Sequence, residues 1–162
     1  MTGVKDDLPD HTLALLGYVM DGLRRDVLQR TATVAGPARG LRSSQIRLLS
    51  LTPVHGMRVT HLAERAGMTK QALGEFATAL EEEGLVESVR DENDRRARIL
   101  RPTAKGRQAV IDSEEIIREV EGEWCARVGA KRWGLLRQTL LDVVERESVS
   151  ATTTGQSRQH HA

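Results

Sequence analysis

Apolar residues recur at helical spacing in six stretches of the chain, the first starting near His11 and the last ending near Glu147. In the first helix they follow one another at intervals of three and four: Leu13, Leu16, Met20, Leu23 and Val27. The same spacing returns in the sixth helix at Trp133, Leu136, Leu140 and Val143. Stripes this narrow are typical of coiled-coil seams. We therefore expect the first and last helices to bury them against each other and against a second copy of the chain.

A helix-turn-helix is predicted in the middle of the chain. A short helix at 59–67 ends at a glycine, and a second helix begins a few residues later, where Thr69 can cap its first turn. Gly84 suits the end of this second helix, because glycine tolerates the positive φ that a helix terminus often needs. The apolar face of the second helix comprises Leu73, Phe76, Ala77 and Leu80. In the fifth helix of the chain, the predicted apolar stripe is Val110, Ile117, Val120, Trp124 and Val128.

Two strand-like runs, 85–90 and 97–103, follow the second helix and flank the charged turn 91–96. A helix followed by a hairpin with arginines at its tip is typical of a winged helix-turn-helix. In that fold the helix enters the major groove of DNA, and the hairpin reaches the backbone or the minor groove. We therefore predict a mainly α fold with a small β-wing, flanked by N- and C-terminal dimerisation helices.

The predicted organisation follows from these elements. The winged helix-turn-helix DNA-binding domain occupies residues 41–106, and the helical dimerisation region comprises 11–35 and 107–147. Residues 1–10 are interpreted as a flexible arm. Residues 148–162 are rich in Ser, Thr, Gln and His with no apolar period, which predicts a disordered tail.

Charge is sorted along the chain although the net charge is only +1. Residues 38–58 carry four arginines and no acid, and residues 90–107 carry seven basic residues against three acids. These blocks flank the second helix of the helix-turn-helix, which favours nucleic acid as the partner; the alternative is the solvated surface of an Arg-rich protein. The candidate DNA-binding residues are Arg58, Thr69, Lys70, Gln71, Thr78, Asp94, Arg95, Arg96 and Arg98. Gln71 could pair with adenine, and Asp94 could orient Arg96 toward a narrow minor groove.

Other classes of protein lack support in the sequence. No run approaches the roughly 20 apolar residues of a membrane span, and the acidic N-terminus does not resemble a signal peptide. A single cysteine, Cys125, cannot form an internal disulfide, so we expect a cytoplasmic protein. Because Cys125 adjoins Trp124, we interpret it as a packed thiol. We expect no metal site, no cofactor and no enzymatic activity, since the histidines are scattered and nucleophile elbows and phosphate-binding loops are absent.

Four motifs resemble those of the multiple-antibiotic-resistance regulator (MarR) family of bacterial transcription factors. They are Leu-Ala-Glu-Arg-Ala-Gly at 62–67, Leu-Glu-Glu-Glu-Gly-Leu-Val at 80–86, Asp-Arg-Arg-Ala at 94–97 and Pro-Thr-Ala-Lys-Gly at 102–106. The resemblance implies a homodimeric winged helix with a small β element ahead of the third helix. It further implies a regulator, typically a repressor, that binds a pseudo-palindromic operator and is released by a small aromatic or phenolic ligand or by thiol oxidation. A ligand pocket of the family type would lie near His11, Tyr18 and Arg47.

One position departs from the family pattern. Many members carry a basic residue where this chain has Glu75, and a small hydroxyl residue where it has Gly74. Glu75 could accept a hydrogen bond from cytosine N4, or it could pair with a nearby arginine, an interpretation that we favour slightly. The alternative function is a winged-helix protein-interaction module without specific DNA readout, which would not need arginines at the tip of its hairpin.

Overall fold

The computed structural model describes residues 11–91, 94 and 97–156, and it describes side chains as far as residue 146. Six helices and three strands lie in this part of the chain: α1 (Thr12–Thr33), α2 (Ser43–Leu51), β1 (Met57–Arg58), α3 (Val59–Ala66), α4 (Lys70–Glu82), β2 (Val86–Arg90), β3 (Arg98–Pro102), α5 (Ala104–Val128) and α6 (Ala130–Gln156). The predicted class, mainly α with a small β-wing, is confirmed. The proposed arm, residues 1–10, lies outside the described residues.

The chain divides into two compact units, residues 1–120 and 121–162. In the first unit the core includes leucines of the helices, of β3 and of the connection between α4 and β2 that are almost completely buried: Leu62, Leu73, Leu80, Leu85 and Leu100. The apolar face predicted for α4 is confirmed at three positions, and Phe76 is half-buried. In the described part of the chain, no helix is both long and apolar enough to cross a membrane.

Three antiparallel strands form the sheet in the order β1-β3-β2. The register places Arg58 opposite Ile99, and it places Arg90 opposite Arg98 at the end of the hairpin next to its turn. β1 is the small strand ahead of α3 that the family resemblance implied. We call β2, β3 and the residues between them, 86–102, the wing. Because β3 lies between the other two strands, the wing is tied to the start of α3 through β1.

A tight junction joins α4, β2 and α5. Gly84 has a φ of 68°, and the next amide, that of Leu85, donates to the Leu80 carbonyl at 2.8 Å. The carbonyl of Leu85 in turn accepts from the Thr103 amide at 3.0 Å. Gly106 packs so closely that a Cβ atom there would lie 1.9 Å from the Leu85 carbonyl oxygen. The Pro-Thr-Ala-Lys-Gly motif therefore serves this junction.

Two predictions about the last helices are wrong. In α5 the buried face is Ala109, Ser113, Ile116 and Val120, whereas the predicted stripe shares only Val120 with it. In addition, α6 continues to Gln156, so residues 148–156 are helical instead of forming part of a disordered tail. No glycine or proline occurs between Glu147 and Gly155, and extending an existing helix by one residue costs little free energy. Residues 157–162 of the proposed tail lie outside the described residues.

The second unit contains the end of α5 and all of α6. Across the turn at Gly129, the rings of Trp124 and Trp133 lie 6.4 Å apart with an interplanar angle of 53°. The Arg127 guanidinium lies 5.2 Å from the Trp124 ring centre, within the range of a cation–π contact. Cys125 is half-buried beside this cluster.

Candidate DNA-binding surface

The exposed face of α4 carries three of the nine predicted DNA-binding residues, and a fourth, Thr69, caps the helix. Lys70, Gln71, Glu75 and Thr78 are exposed on the side of the helix that faces away from the core. Thr69 caps the helix, since its hydroxyl oxygen accepts from the Ala72 amide at 3.1 Å, as predicted. The Thr78 hydroxyl donates to the Gly74 carbonyl at 3.0 Å, so this hydroxyl hydrogen is already engaged within the helix.

A groove of about 400 Å³ runs between α4, the start of α3 and the wing. It brings together four of the nine predicted residues: Arg58, Lys70, Asp94 and Arg98. Thr60, which the sequence analysis did not select, also lines it and is exposed. The only sequence signal for Thr60 is its position in the first turn of α3, where free backbone amides favour an anion. The groove therefore has three cationic side chains on its walls and one carboxylate.

Arg58 occupies the wall nearest β1 and is held by an acid. Its Nε and Nη2 atoms lie 2.7 and 2.5 Å from Oδ2 of Asp91. The Asp91 residue is 7% exposed, whereas the Arg58 side chain is 39% exposed. This ion pair joins the end of β2 to the start of α3. Arg58 therefore helps to hold the wing in addition to lining the groove.

Arg98 lines the groove from β3 and is held by two groups. Its Nε donates to the Ser88 hydroxyl, and its Nη2 pairs with the Glu81 carboxylate near the end of α4. Burial raises the pKa of Glu81, but the hydrogen bonds from Ser88 and Arg98 and the charge of Arg98 outweigh it. The pKa of Glu81 consequently lies below the ordinary value for a glutamate. Glu81 is thus ionised at neutral pH and remains paired with the wing.

The tip of the wing carries the remaining predicted residues. The backbone carbonyl of Asp94 accepts from the Ala97 amide at 2.8 Å, which closes the turn, and the Asp94 side chain is exposed. Arg95 and Arg96 lie outside the described residues. The interpretation that Asp94 orients Arg96 therefore stays a prediction.

A second groove, of about 540 Å³, lies on the other side of α4, between that helix and the start of α2. Glu75 lines it together with Arg42 and Phe76. No ion pair within 4.0 Å involves Glu75 among the described residues. The structure thus gives no support to the favoured interpretation that an arginine holds Glu75.

A model of the MarR family matches residues 39–97, the segment that builds both grooves and most of the wing. Over this segment the chain is similar to the MarR family. No curated protein sequence matches it significantly. Among solved structures, MarR itself superposes with a TM-score of 0.76 at 20% identity, over 94% of this chain and 99% of that one.

Two further MarR-like structures are similar over nearly their whole length. BldR, a transcriptional regulator from Sulfolobus solfataricus, has a TM-score of 0.65 at 25% identity, over 83% of this chain and 92% of BldR. CouR from Rhodococcus jostii RHA1, a transcriptional repressor solved on a 23-mer DNA duplex, has a TM-score of 0.70 at 23% identity, over 89% of this chain and 99% of CouR. CouR has also been solved with p-coumaroyl-CoA. These similarities show that the chain has the MarR-family fold.

The three candidate ligand-binding residues are all exposed in the single chain. The Nδ1 atom of His11 accepts from the Ala14 amide at 3.1 Å and so caps α1. Tyr18 is 57% exposed on α1, and Arg47 is exposed on α2. Neither of the two grooves beside α4 contains any of them. Their role in binding a MarR-family effector remains a prediction.

Proposed function

We propose that this protein is a sequence-specific DNA-binding transcriptional regulator that acts as a repressor at a pseudo-palindromic operator. The observation that carries the proposal is the groove between α4 and the wing, where Arg58, Lys70 and Arg98 converge within a MarR-family fold. Of these cations, Lys70 is placed to meet a DNA backbone that enters the groove while the helix meets the bases, and Arg58 and Arg98 hold the walls of the groove through their ion pairs.

Readout begins at the N-terminal end of α4, which serves as the recognition helix. Gln71 is exposed there and has the amide geometry that pairs with N6 and N7 of adenine. Lys70 lies beside it on the groove side, where it contacts a phosphate. The acidic C-terminal end, Glu81 to Glu83, points away from the DNA axis, since phosphates would repel it. Wing residues Asp94, Arg95 and Arg96 lie over the adjacent minor groove.

A homodimer presents two such surfaces to the two half-sites. Support comes from the apolar residues that stay exposed on α1 and α6 in the single chain: Leu13, Leu16, Met20, Leu136, Leu140 and Val143. Exposed apolar residues repeated along a helix are typical of an interface. Sedimentation should give a particle of twice the 17.9 kDa chain mass. Deleting residues 133–162 should produce a monomeric or aggregated protein with much weaker DNA binding, whereas a soluble truncated protein with full affinity would contradict the dimer.

A small aromatic or phenolic effector releases the dimer from DNA in this proposal. The binding of p-coumaroyl-CoA by CouR supports an effector of this class. Phenolic acids and their thioesters should be tested for release of a bound operator, with Tyr18→Ala and Arg47→Gln as pocket variants. An effector that releases both variants as readily as it releases the wild type would place the pocket elsewhere.

The decisive experiment is selection of genomic DNA fragments by the full-length protein, followed by salt titration of the best fragment. Specific binding should fall steeply with salt, and Lys70→Gln should reduce the slope of log K against log salt by about one unit per lost phosphate contact. Gln71→Ala should weaken discrimination at one adenine by about 1–3 kcal/mol.

Lys131→Gln, which removes the same charge from α6, is the matched control and should leave the slope unchanged. Equal retention of all fragments, independent of sequence, would contradict the proposal. It would favour instead a winged helix that binds another protein.

A further inference from the structure

We propose that Glu81, Arg98 and Ser88 form a clip that fixes the wing against the recognition helix, so that an acid at the C-terminal end of that helix strengthens DNA binding. We call these three residues the wing clip. In this interpretation Glu81 and Arg98 are positioning residues, and Arg98 is not a phosphate contact. The inference rests on the proposed function, because it concerns how the wing meets the DNA.

The clip connects α4, β2 and β3 near the turn of the wing. Arg98 is the first residue of β3 and lies opposite Arg90, where the hairpin opens into its turn. Its guanidinium crosses β2 to reach the Ser88 hydroxyl and ends on Glu81, in the last turn of α4. The Glu81 side chain is 25% exposed and that of Arg98 is 44% exposed. The pair is therefore partly shielded from solvent, where an ion pair is stronger than on an open surface.

The positive charge of Arg98 is already paired with the Glu81 carboxylate in this contact. A guanidinium that donates to a carboxylate and a hydroxyl has fewer donors for a phosphate, and the carboxylate cancels its charge locally. Glu81 keeps this role at neutral pH because it is ionised. The wing is also held at Arg58 by Asp91, on the other side of the groove. Two ion pairs thus hold the hairpin from two directions, and this restricts the angle between the wing and α4.

Glu82 provides a matched control one residue away. It is the last residue of α4, it is exposed, and no ion pair within 4.0 Å involves it among the described residues. Glu81→Gln and Glu82→Gln remove the same charge from the same turn of helix. If Arg98 touched a phosphate directly, both variants would tighten binding, because each removes a negative charge that repels the DNA at longer range. If the clip positions the wing, the two variants should change affinity in opposite directions.

The test is operator affinity of the full-length variants, together with base preference on operators randomised at each position. We expect Glu81→Gln to weaken binding by about threefold per half-site, which is about tenfold for two half-sites. We expect Glu82→Gln to bind as well as the wild type or slightly better. Glu81→Gln should lose preference at the flanking positions that the wing contacts and keep the preference set by Gln71. A general loss of folded protein would lower both preferences together.

The Arg98→Lys variant distinguishes an arginine that positions the wing from one that binds a phosphate. Lysine binds a phosphate as a point charge, but it cannot reach Ser88 and Glu81 with one planar fork. The clip therefore predicts that Arg98→Lys weakens binding as much as Glu81→Gln does. Retained affinity in Arg98→Lys, or unchanged or tighter binding in Glu81→Gln, would overturn the proposal. An equal loss in both glutamate variants would also overturn it.

Hydrogen exchange of the DNA-free protein keeps this inference distinct from the proposed function. Amides of residues 86–102 should exchange faster in Glu81→Gln than in Glu82→Gln, because the hairpin opens more often without the clip. If the wild type selects no specific DNA, the proposed function fails and the exchange data alone decide whether the clip exists. If the wild type selects DNA but exchange in the wing is unchanged, the clip is wrong.

Discussion

Replacing Gly106 with alanine tests how tightly the winged helix is joined to α5. Gly106 lies in the first turn of α5, and its amide donates to the Thr103 hydroxyl at 3.0 Å. A Cβ atom at this position would lie 1.9 Å from the Leu85 carbonyl oxygen and 2.9 Å from its carbonyl carbon. The first distance is about 1.5 Å short of the 3.4 Å at which ordinary contact begins. Both atoms belong to the backbone, so α5 or the start of β2 must move.

The size of the destabilisation follows from the hydrogen bonds that this movement breaks and from the overpacking that remains. The Leu85 carbonyl accepts from the Thr103 amide at 3.0 Å. The Thr103 hydroxyl shares its one hydrogen between the Gly84 carbonyl at 2.7 Å and the Leu85 carbonyl at 3.2 Å. Losing both hydrogen bonds to the Leu85 carbonyl costs about 1–3 kcal/mol, and the remaining overpacking costs about 1–3 kcal/mol. Alanine returns up to about 1 kcal/mol through its helix propensity. We therefore expect Gly106→Ala to lower the free energy of unfolding by about 1–6 kcal/mol.

Urea unfolding at one protein concentration provides the measurement, with Gly122→Ala as the control. Gly122 lies in the same helix, and a Cβ atom there would meet nothing within 4 Å. The control should raise the free energy of unfolding by about 0.5–1 kcal/mol, since only the helix propensity changes. Gly106→Ala and Gly122→Ala, both in α5, should thus change the free energy of unfolding in opposite directions. A Gly106→Ala protein as stable as the wild type would refute this account of the junction.

Three further predictions follow. In competition binding assays, Arg96→Ala should weaken operator binding by about 1–3 kcal/mol per half-site. Asp94→Ala should also weaken binding, although it removes a negative charge. Tighter binding by Asp94→Ala would refute the proposal that Asp94 orients Arg96. Cys125→Ser should leave DNA affinity and the response to peroxide unchanged, because the thiol is half-buried beside the tryptophans. If peroxide released the wild type from DNA but did not release the variant, this prediction would be wrong. The lowered pKa of Glu81 means that its pairing with Arg98 stabilises the protein fully above the ordinary glutamate pKa and loses this effect as pH falls through the lower folded value. The stability difference between wild type and Glu81→Gln should thus be constant from about pH 7 to about pH 5 and shrink toward about pH 3, whereas a difference that grew with acid would contradict the pairing.

Elements whose signals lie within a few residues could be predicted from the sequence. The cap at Thr69, the end of α4 at Gly84 and the alternation of buried positions along α4 depend on neighbours in the same turn or the next. Local backbone chemistry decides such features before any distant contact forms. The MarR-like motifs then placed the wing and β1 correctly, since they mark the same turns and helix ends.

The buried face of α5 could not be predicted in this way. Hydrophobic periodicity favoured Val110 and Ile117, but the structure buries Ala109 and Ser113, whose hydroxyl donates to the Ala109 carbonyl at 2.6 Å. At the start of this face Gly106 lies directly on the Leu85 carbonyl, where a Cβ atom would collide with the backbone. How closely two elements approach is a property of their packing, and it leaves no periodic signal in one of them.

In the candidate DNA-binding surface, too, the local features could be predicted from the sequence and the long-range pairings could not. The sequence by itself determined that Lys70 and Gln71 face outward, because the helical repeat and the apolar stripe of α4 settle that question. It also selected Arg58 and Arg98 as cations beside the helix, but it did not indicate their partners. Only the tertiary structure decided that Asp91, 33 positions away, holds Arg58 and that Glu81, 17 positions away, holds Arg98. Those pairings arise from the register of β3 between β1 and β2, which brings distant charges within hydrogen-bond reach once the sheet has formed.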